Sequence, residues 1–170
     1  MEIVNKVSES GILSLDLETF FPKEEIVSFD LKEYLFMELI LKEKDFRKAL
    51  QEKNWNEYNN KNVAVFCSTD SIIPVWAYML VASYLQPIAR SVFFGNVNST
   101  KEKLLLQNIE QIEISEYDDK RIVVKGCGEE SIPESAYLLI TKLLRPVAKS
   151  IMYGEPCSTV PIFKKSISKI

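Results

Sequence analysis

Residues 74–95 read PVWAYMLVASYLQPIARSVFFG, and residues 133–154 read PESAYLLITKLLRPVAKSIMYG. Set side by side without a gap, Pro74 answers to Pro133, Ala77-Tyr78 to Ala136-Tyr137, Leu85-Gln86-Pro87 to Leu144-Arg145-Pro146, Arg90-Ser91 to Lys149-Ser150 and Gly95 to Gly154. Working outward, the likeness reaches back to Val63 and Val123, pairs Cys67 with Cys127, and reaches forward to Ser99-Thr100 and Ser158-Thr159. Self-similarity of this kind is the mark of a duplicated supersecondary unit. In each copy an apolar run (Val63 to Cys67; Ile122 to Cys127) ends in a polar loop, a Pro opens an amphipathic helix, and a second run follows (Ser91 to Gly95; Ser150 to Gly154). The pattern predicts strand, helix, strand, joined as a right-handed parallel crossover where both strands share a sheet.

Upstream, Leu13, Leu15 and Leu17 alternate with polar residues, and Val27, Phe29 and Leu31 do so again after Phe21-Pro22-Lys23, which reads as a β-hairpin. Asp30 stands three residues before Glu33 at capping-box spacing, and Tyr34, Leu35, Leu39 and Ile40 follow at helical intervals, predicting a helix there. A second helix is predicted over 45–53. Thr100 is placed to cap a third, and Ile112-Glu113-Ile114 alternates as a short strand would. The fold class expected is α/β: a mixed sheet around two duplicated strand-helix-strand units, with an N-terminal β-hairpin and helices. The expected organisation is a single domain over 1–170, with hairpin and helices in 1–62, repeat one in 63–100, a link in 101–120, repeat two in 121–159 and a tail in 160–170.

Composition sets limits on this plan. A chain of 170 residues that is 46% hydrophobic and 26% charged can fill one good core. The net charge of -3 is spread over interspersed lysines and glutamates, which argues against nucleic acid as a partner. Apolar stretches are too short to span a membrane, and Met1 to Ser10 lack the pattern of a signal peptide, so a soluble cytoplasmic protein is expected. The absence of histidine removes the commonest general base near neutral pH and excludes a Ser-His-Asp or Cys-His centre within one chain. No catalytic residue singles itself out, and no phosphate-binding glycine motif is present.

The three cysteines are the chemical candidates. Cys67 and Cys127 fall at strand carboxyl ends, where open α/β sheets bind ligands, and Cys157 follows the last strand in the loop from Gly154 to Pro161. Placed in one sheet, the three thiols would leave on one edge, and on adjacent strands could share a metal or a sulfur, with Asp70, Glu155, a water or a second chain as a further ligand and Ser158 and Thr159 as neighbouring donors. The competing reading keeps them as small core hydrophobes. Ile73 and Ile132, before Pro74 and Pro133, cannot cap a helix with a side chain, so each helix start either attracts an anion or is capped by Asp70, Ser71, Glu130 or Ser131 folding back.

The Gly154–Pro161 loop, the Ile73–Tyr78 segment, the Lys44–Arg47 segment and the Leu13–Leu17 strand together resemble a bacterial family catalogued as domain of unknown function 2480. The likeness covers nearly the whole chain. The family carries no established activity; what the resemblance implies is an association with iron-sulfur assembly proteins, through the neighbourhood of their genes. Three functional expectations follow. The first is an accessory factor in iron-sulfur or sulfur handling, with an iron-sulfur cluster or zinc held by Cys67, Cys127 and Cys157. The second is a non-catalytic protein-interaction module with structural cysteines, a homo-oligomer among its forms. The third is a small-anion binder at the helix starts.

Overall fold

The computed structural model describes residues 11–126, 128–155 and 157–166. The chain divides into two compact units, one from the described parts of 1–21 and 104–170 and the other from 22–103. The second is thus inserted into the first, and each has its own hydrophobic cluster in place of the single core expected.

In the inserted unit, strands β2 (Ile26–Asp30), β3 (Asn62–Phe66) and β4 (Ser91–Phe94) form a parallel sheet in the order β2-β3-β4, with helices α1 (Glu43–Glu52) and α2 (Val75–Leu85). The other unit carries β1 (Ile12–Asp16), β5 (Arg121–Lys125), β6 (Ser150–Glu155) and β7 (Ser158–Lys164), in the order β1-β5-β6-β7, with helix α4 (Glu134–Leu144). There β1, β5 and β6 run parallel and β7 antiparallel. The chain passes between the units within helix α3 (Val97–Glu110). The α/β class, the mixed sheet and both strand-helix-strand crossovers are as expected. The crossovers keep matching registers: Asn62 faces Ser91 as Arg121 faces Ser150. They lie in two sheets, however, not one.

The N-terminal strands do not form a hairpin. β1 pairs with β5 and β2 with β3, both parallel. The cause is local: each strand ends in an aspartate whose carboxylate caps a 3-10 turn, Asp16 accepting from Glu18 N–H at 3.0 Å and Asp30 from Lys32 N–H at 2.9 Å. These turns, Leu17–Phe20 and Leu31–Tyr34, lead the chain away from the strand it has just left. The central strands are closed on both faces, Val63, Ala64, Ile122 and Val123 being fully buried, as a parallel strand beneath helices requires. Each such Val or Ile contributes on the order of 1.5–3 kcal/mol of burial.

Further local expectations are corrected. The helix expected from Tyr34 to Ile40 stops after the 3-10 turn, because Leu35 is extended and Met37 and Glu38 adopt the left-handed region (φ 53 and 59). The cap of α3 is Asn96, whose Oδ1 accepts from Ser99 N–H at 2.9 Å, while Thr100 is buried. Ile114–Tyr117 is a 3-10 turn capped by Glu113 rather than a strand. The tail from 160 contains most of β7. Pro161 is compatible with that strand because it sits on an edge, opposite Met152 and beside a register irregularity.

Gly154 makes the β6–β7 hairpin sterically feasible. Its φ is +118, and a Cβ there would stand 2.6 Å from the carbonyl oxygen of Ser158. Gly154→Ala is expected to destabilise the protein by ~1–3 kcal/mol, read from urea denaturation; a cost below a few tenths would show that the hairpin adjusts freely.

At the heart of the inserted unit, Phe29 stacks on Tyr34 and Trp55 at 5.3 and 5.8 Å and meets Tyr58 at 5.9 Å. Burial pushes the Tyr58 phenol up to about 12, outweighing the lowering effect of Lys53. Burial would lower Lys53, but its bond to Glu57 (2.6 Å) and the neighbouring Tyr34 and Tyr58 raise it instead. A phenol whose folded pKa exceeds its unfolded value of about 10 favours the folded state below that pH and ceases to do so as pH rises through its folded value. A tyrosinate absorbance titration should therefore show Tyr58 ionising late, together with unfolding, between about pH 10 and 12; ionisation near pH 10 in folded protein would contradict the burial.

Candidate functional site

Of the residues expected to form a thiol site, Cys67 and Asp70 lie in the inserted unit, while Glu155, Cys157, Ser158 and Thr159 lie in the other. Cys127 is outside the described residues. Cys67 is half-buried against the aromatic cluster, and its Sγ lies 3.2 Å from the Thr69 hydroxyl. Cys157 is exposed in the turn between β6 and β7, where Glu155 pairs with Ser158 and Gly154 with Thr159. Much of the segment expected as a loop from Gly154 to Pro161 is thus paired strand. Thr159 Oγ1 approaches Met152 Sδ at 3.7 Å. Among the described residues, no group of three or more Cys, Asp or Glu is arranged to hold a metal ion.

The strands also set a different equivalence for the cysteines. Cys67 is the first residue after β3, whereas Gly126 is the first after β5 and Cys127 the second. In register, Cys127 therefore answers to Ser68. At the position that answers to Cys67, a Cβ on Gly126 would press on the Tyr137 hydroxyl and the Ile132 side chain, which would have to shift.

The polar cluster at the carboxyl edge of the three-stranded sheet gathers Asp30, Ser68, Thr69, Ser71 and Tyr78. Asp30 Oδ1 also accepts from Ser68 N–H at 3.0 Å, tying the end of β2 to the loop after β3. Burial would raise its pKa, but bonds from Ser68 and Lys32 prevail and hold the carboxyl below the usual range. Tyr78, set edge-on to Phe94 at 5.3 Å, is raised by burial and then by the charges of Cys67 and Asp30. Thr69 donates to Ser71, and Ser71 donates to the Glu38 carbonyl at 2.9 Å. The hydrogen bonds of this edge tie its loops together.

What that network positions is apolar. Its last bond seats a small hairpin in which Phe36 N–H donates to Ile40 O at 2.8 Å and Leu39 N–H returns to Phe36 O at 3.1 Å. Met37 and Glu38 form its turn in the conformation that favours Asn-Gly. Met37 is 75% exposed and Leu39 68%, with Phe36 and Ile40 also open to solvent and the Lys42 ammonium 3.5 Å from the Phe36 ring centre. Through Ser71 this hairpin adjoins the start of α2, where Ile72 is 95% exposed, Val75 75%, and Met79 continues the exposed series one turn on. Pro74 is the N-cap of α2, and Pro133 that of α4, one position earlier than the first helical turn. The exposed Ile72 and Val75 flank this start of α2. Helical spacing placed Leu39 and Ile40 on a helix with Tyr34 and Leu35; the break at Leu35 puts them on this exposed hairpin instead.

In the other unit, a cavity of about 290 Å³ is lined by Val124, Tyr137, Thr141, Met152, Tyr153 and Ile162 among others. Its floor is apolar. No helix among the described residues is long and apolar enough to cross a membrane.

No curated protein and no solved structure matches the chain. A family model does, over residues 1–165, nearly the whole sequence in which the resemblance was seen. The chain belongs to the family described as protein of unknown function (DUF2480).

Proposed function

We propose that the protein is a non-catalytic interaction module whose inserted unit meets a protein partner through the hairpin 36–40 and the adjoining start of α2. The observation that carries this reading is the Met37–Glu38 turn. Two successive non-glycine residues are held in the left-handed region, at about 1 kcal/mol or more each, while the turn displays side chains that water disfavours. A partner that covers the turn takes this apolar surface out of water. The test is photocrosslinking from position 39 in the full chain, followed by hydrogen exchange on the purified complex. Protection should fall on 36–40 and 72–79, and Leu39→Asp should remove it. Protection confined to other segments, or a complex indifferent to Leu39→Asp, would overturn the reading.

A second reading, sulfur or iron-sulfur handling alongside iron-sulfur assembly proteins, is favoured by one observation, the exposed Cys157 thiol on its hairpin turn. On that reading Cys157 should label faster than Cys67, and Cys157→Ser should abolish any sulfide or metal found on anaerobically purified protein. Protein that carries neither, or carries both unchanged in Cys157→Ser, would remove it.

The Met37–Glu38 turn gives a separate prediction. Met37→Asn with Glu38→Gly should raise stability by ~1–2 kcal/mol, measured by urea denaturation, by relieving left-handed strain. An unchanged midpoint would show that the turn is unstrained.

A further inference from the structure

The two crossovers differ on the outer side of their last strand. In one unit β6 is followed outward by β7, which pairs antiparallel and sets Phe163 opposite Ile151. The Phe163 ring lies 3.7 Å from the guanidinium of Arg145, the residue that caps the carboxyl end of α4. In the inserted unit β4 occupies the place of β6. Val63 faces Val92 as Ile122 faces Ile151, and Gln86 caps α2 as Arg145 caps α4. Among the described residues, however, no strand continues that sheet beyond β4.

What lies beside β4 is a groove of about 560 Å³, lined by Met79, Ala82, Ser83 and Gln86 of α2 and by the run from Ala89 to Val92. It stands where Phe163 stands in the other unit. Sheet edges exposed to water usually carry charge, proline or a bulge that discourages pairing. β7, the edge of the other sheet, has Pro161 and Lys164; β4 reads Ser-Val-Phe-Phe and has neither within it, although Lys103 donates to the Phe94 carbonyl at its end. Arg90, at its start, is already engaged by Glu24 at 2.9 Å.

We infer that β4 receives an added strand from a protein partner: an extended, weakly charged segment, antiparallel to β4, with an aromatic side chain opposite Val92 in the groove beside Gln86. Strand addition satisfies the backbone edge and the groove together, whereas a small apolar ligand would fill only the groove. Met79 belongs both to this groove and to the exposed series on α2, so the inference deepens the interaction reading and rests on it for the existence of a partner.

The probe is a fluorescent peptide of this chain's own 158–165 segment, titrated into the full-length protein. Saturable binding is expected. Methylating alternate backbone nitrogens of the peptide should weaken it by about ten-fold in one phase and leave it nearly unchanged in the other, the signature of a strand bonded along one side. Ser83→Trp, which fills the groove from an exposed position, should abolish binding with the circular dichroism unchanged, and Leu39→Asp should leave peptide binding intact. No saturable binding to 1 mM, on the order of the weakest affinity worth defining, or equal loss from both methylation phases, would overturn the strand inference while leaving crosslinking at position 39 to judge the module. A dimer in sedimentation that Ser83→Trp converts to monomer would place a second copy on β4 and overturn the partner assigned here.

Discussion

Phe29→Ala is expected to cost ~3–5 kcal/mol, the range for deleting a fully packed aromatic side chain. Phe29 is buried on β2, and its ring is the common neighbour of Tyr34, Trp55 and Tyr58. Its removal leaves a cavity that three other rings line, and rigid rings relax into a void poorly. Both tryptophans, Trp55 and Trp76, lie within residues 22–103, so tryptophan emission reports on the inserted unit specifically. The variant should lower the urea midpoint seen by emission and shift Trp55 fluorescence even without denaturant. A loss below about 1 kcal/mol, outside the range for such deletions, would show that the aromatic cluster does not hold the unit together.

Asp30→Ala should cost ~2–3 kcal/mol, because one carboxylate oxygen accepts two backbone N–H groups, Lys32 and Ser68, that no alanine can satisfy. Asp30→Asn retains an acceptor and should recover part of that loss. The pH dependence follows from the direction of the shift. Because the folded carboxyl is held below its unfolded value, its contribution is complete above about pH 4 and disappears as pH falls through the folded pKa. Wild type should therefore lose stability in acid more steeply than Asp30→Ala. Parallel acid profiles would mean that Asp30 is not the residue that ties β2 to the loop after β3.

Local patterns in the sequence proved readable, and partner choice did not. Pro74 and Pro133 mark helix starts and Pro87 and Pro146 follow helix ends, since proline acts on its own neighbours. The alternation at Leu13–Leu17 and Val27–Leu31 marks two strands correctly but is silent on pairing, which depends on β5 and β3 far along the chain. The helical spacing from Tyr34 to Ile40 misled because nothing in it shows that Leu35 turns extended. The candidate thiols were legible only singly: Cys67 and Cys127 align by residue type, yet strand register puts Gly126 in the place of Cys67. The apolar surface on 36–40 and 72–79 carried no sequence signal of its own, because an exposed Leu and a buried Leu are spelled alike.

The insertion of residues 22–103 between β1 and the rest of its sheet has a consequence for the order of events on the ribosome. The inserted unit is contiguous and can close once its own residues have emerged. β1 is synthesised before it yet has no sheet to join until β5 appears, about a hundred residues later, a wait of roughly 5–20 s at typical elongation rates. During that interval an alternating Leu strand is a nascent, unpaired edge open to capture, which makes β1 the segment where a chaperone would be of most use to this chain. β1 is made before the inserted unit and joins its sheet only after it.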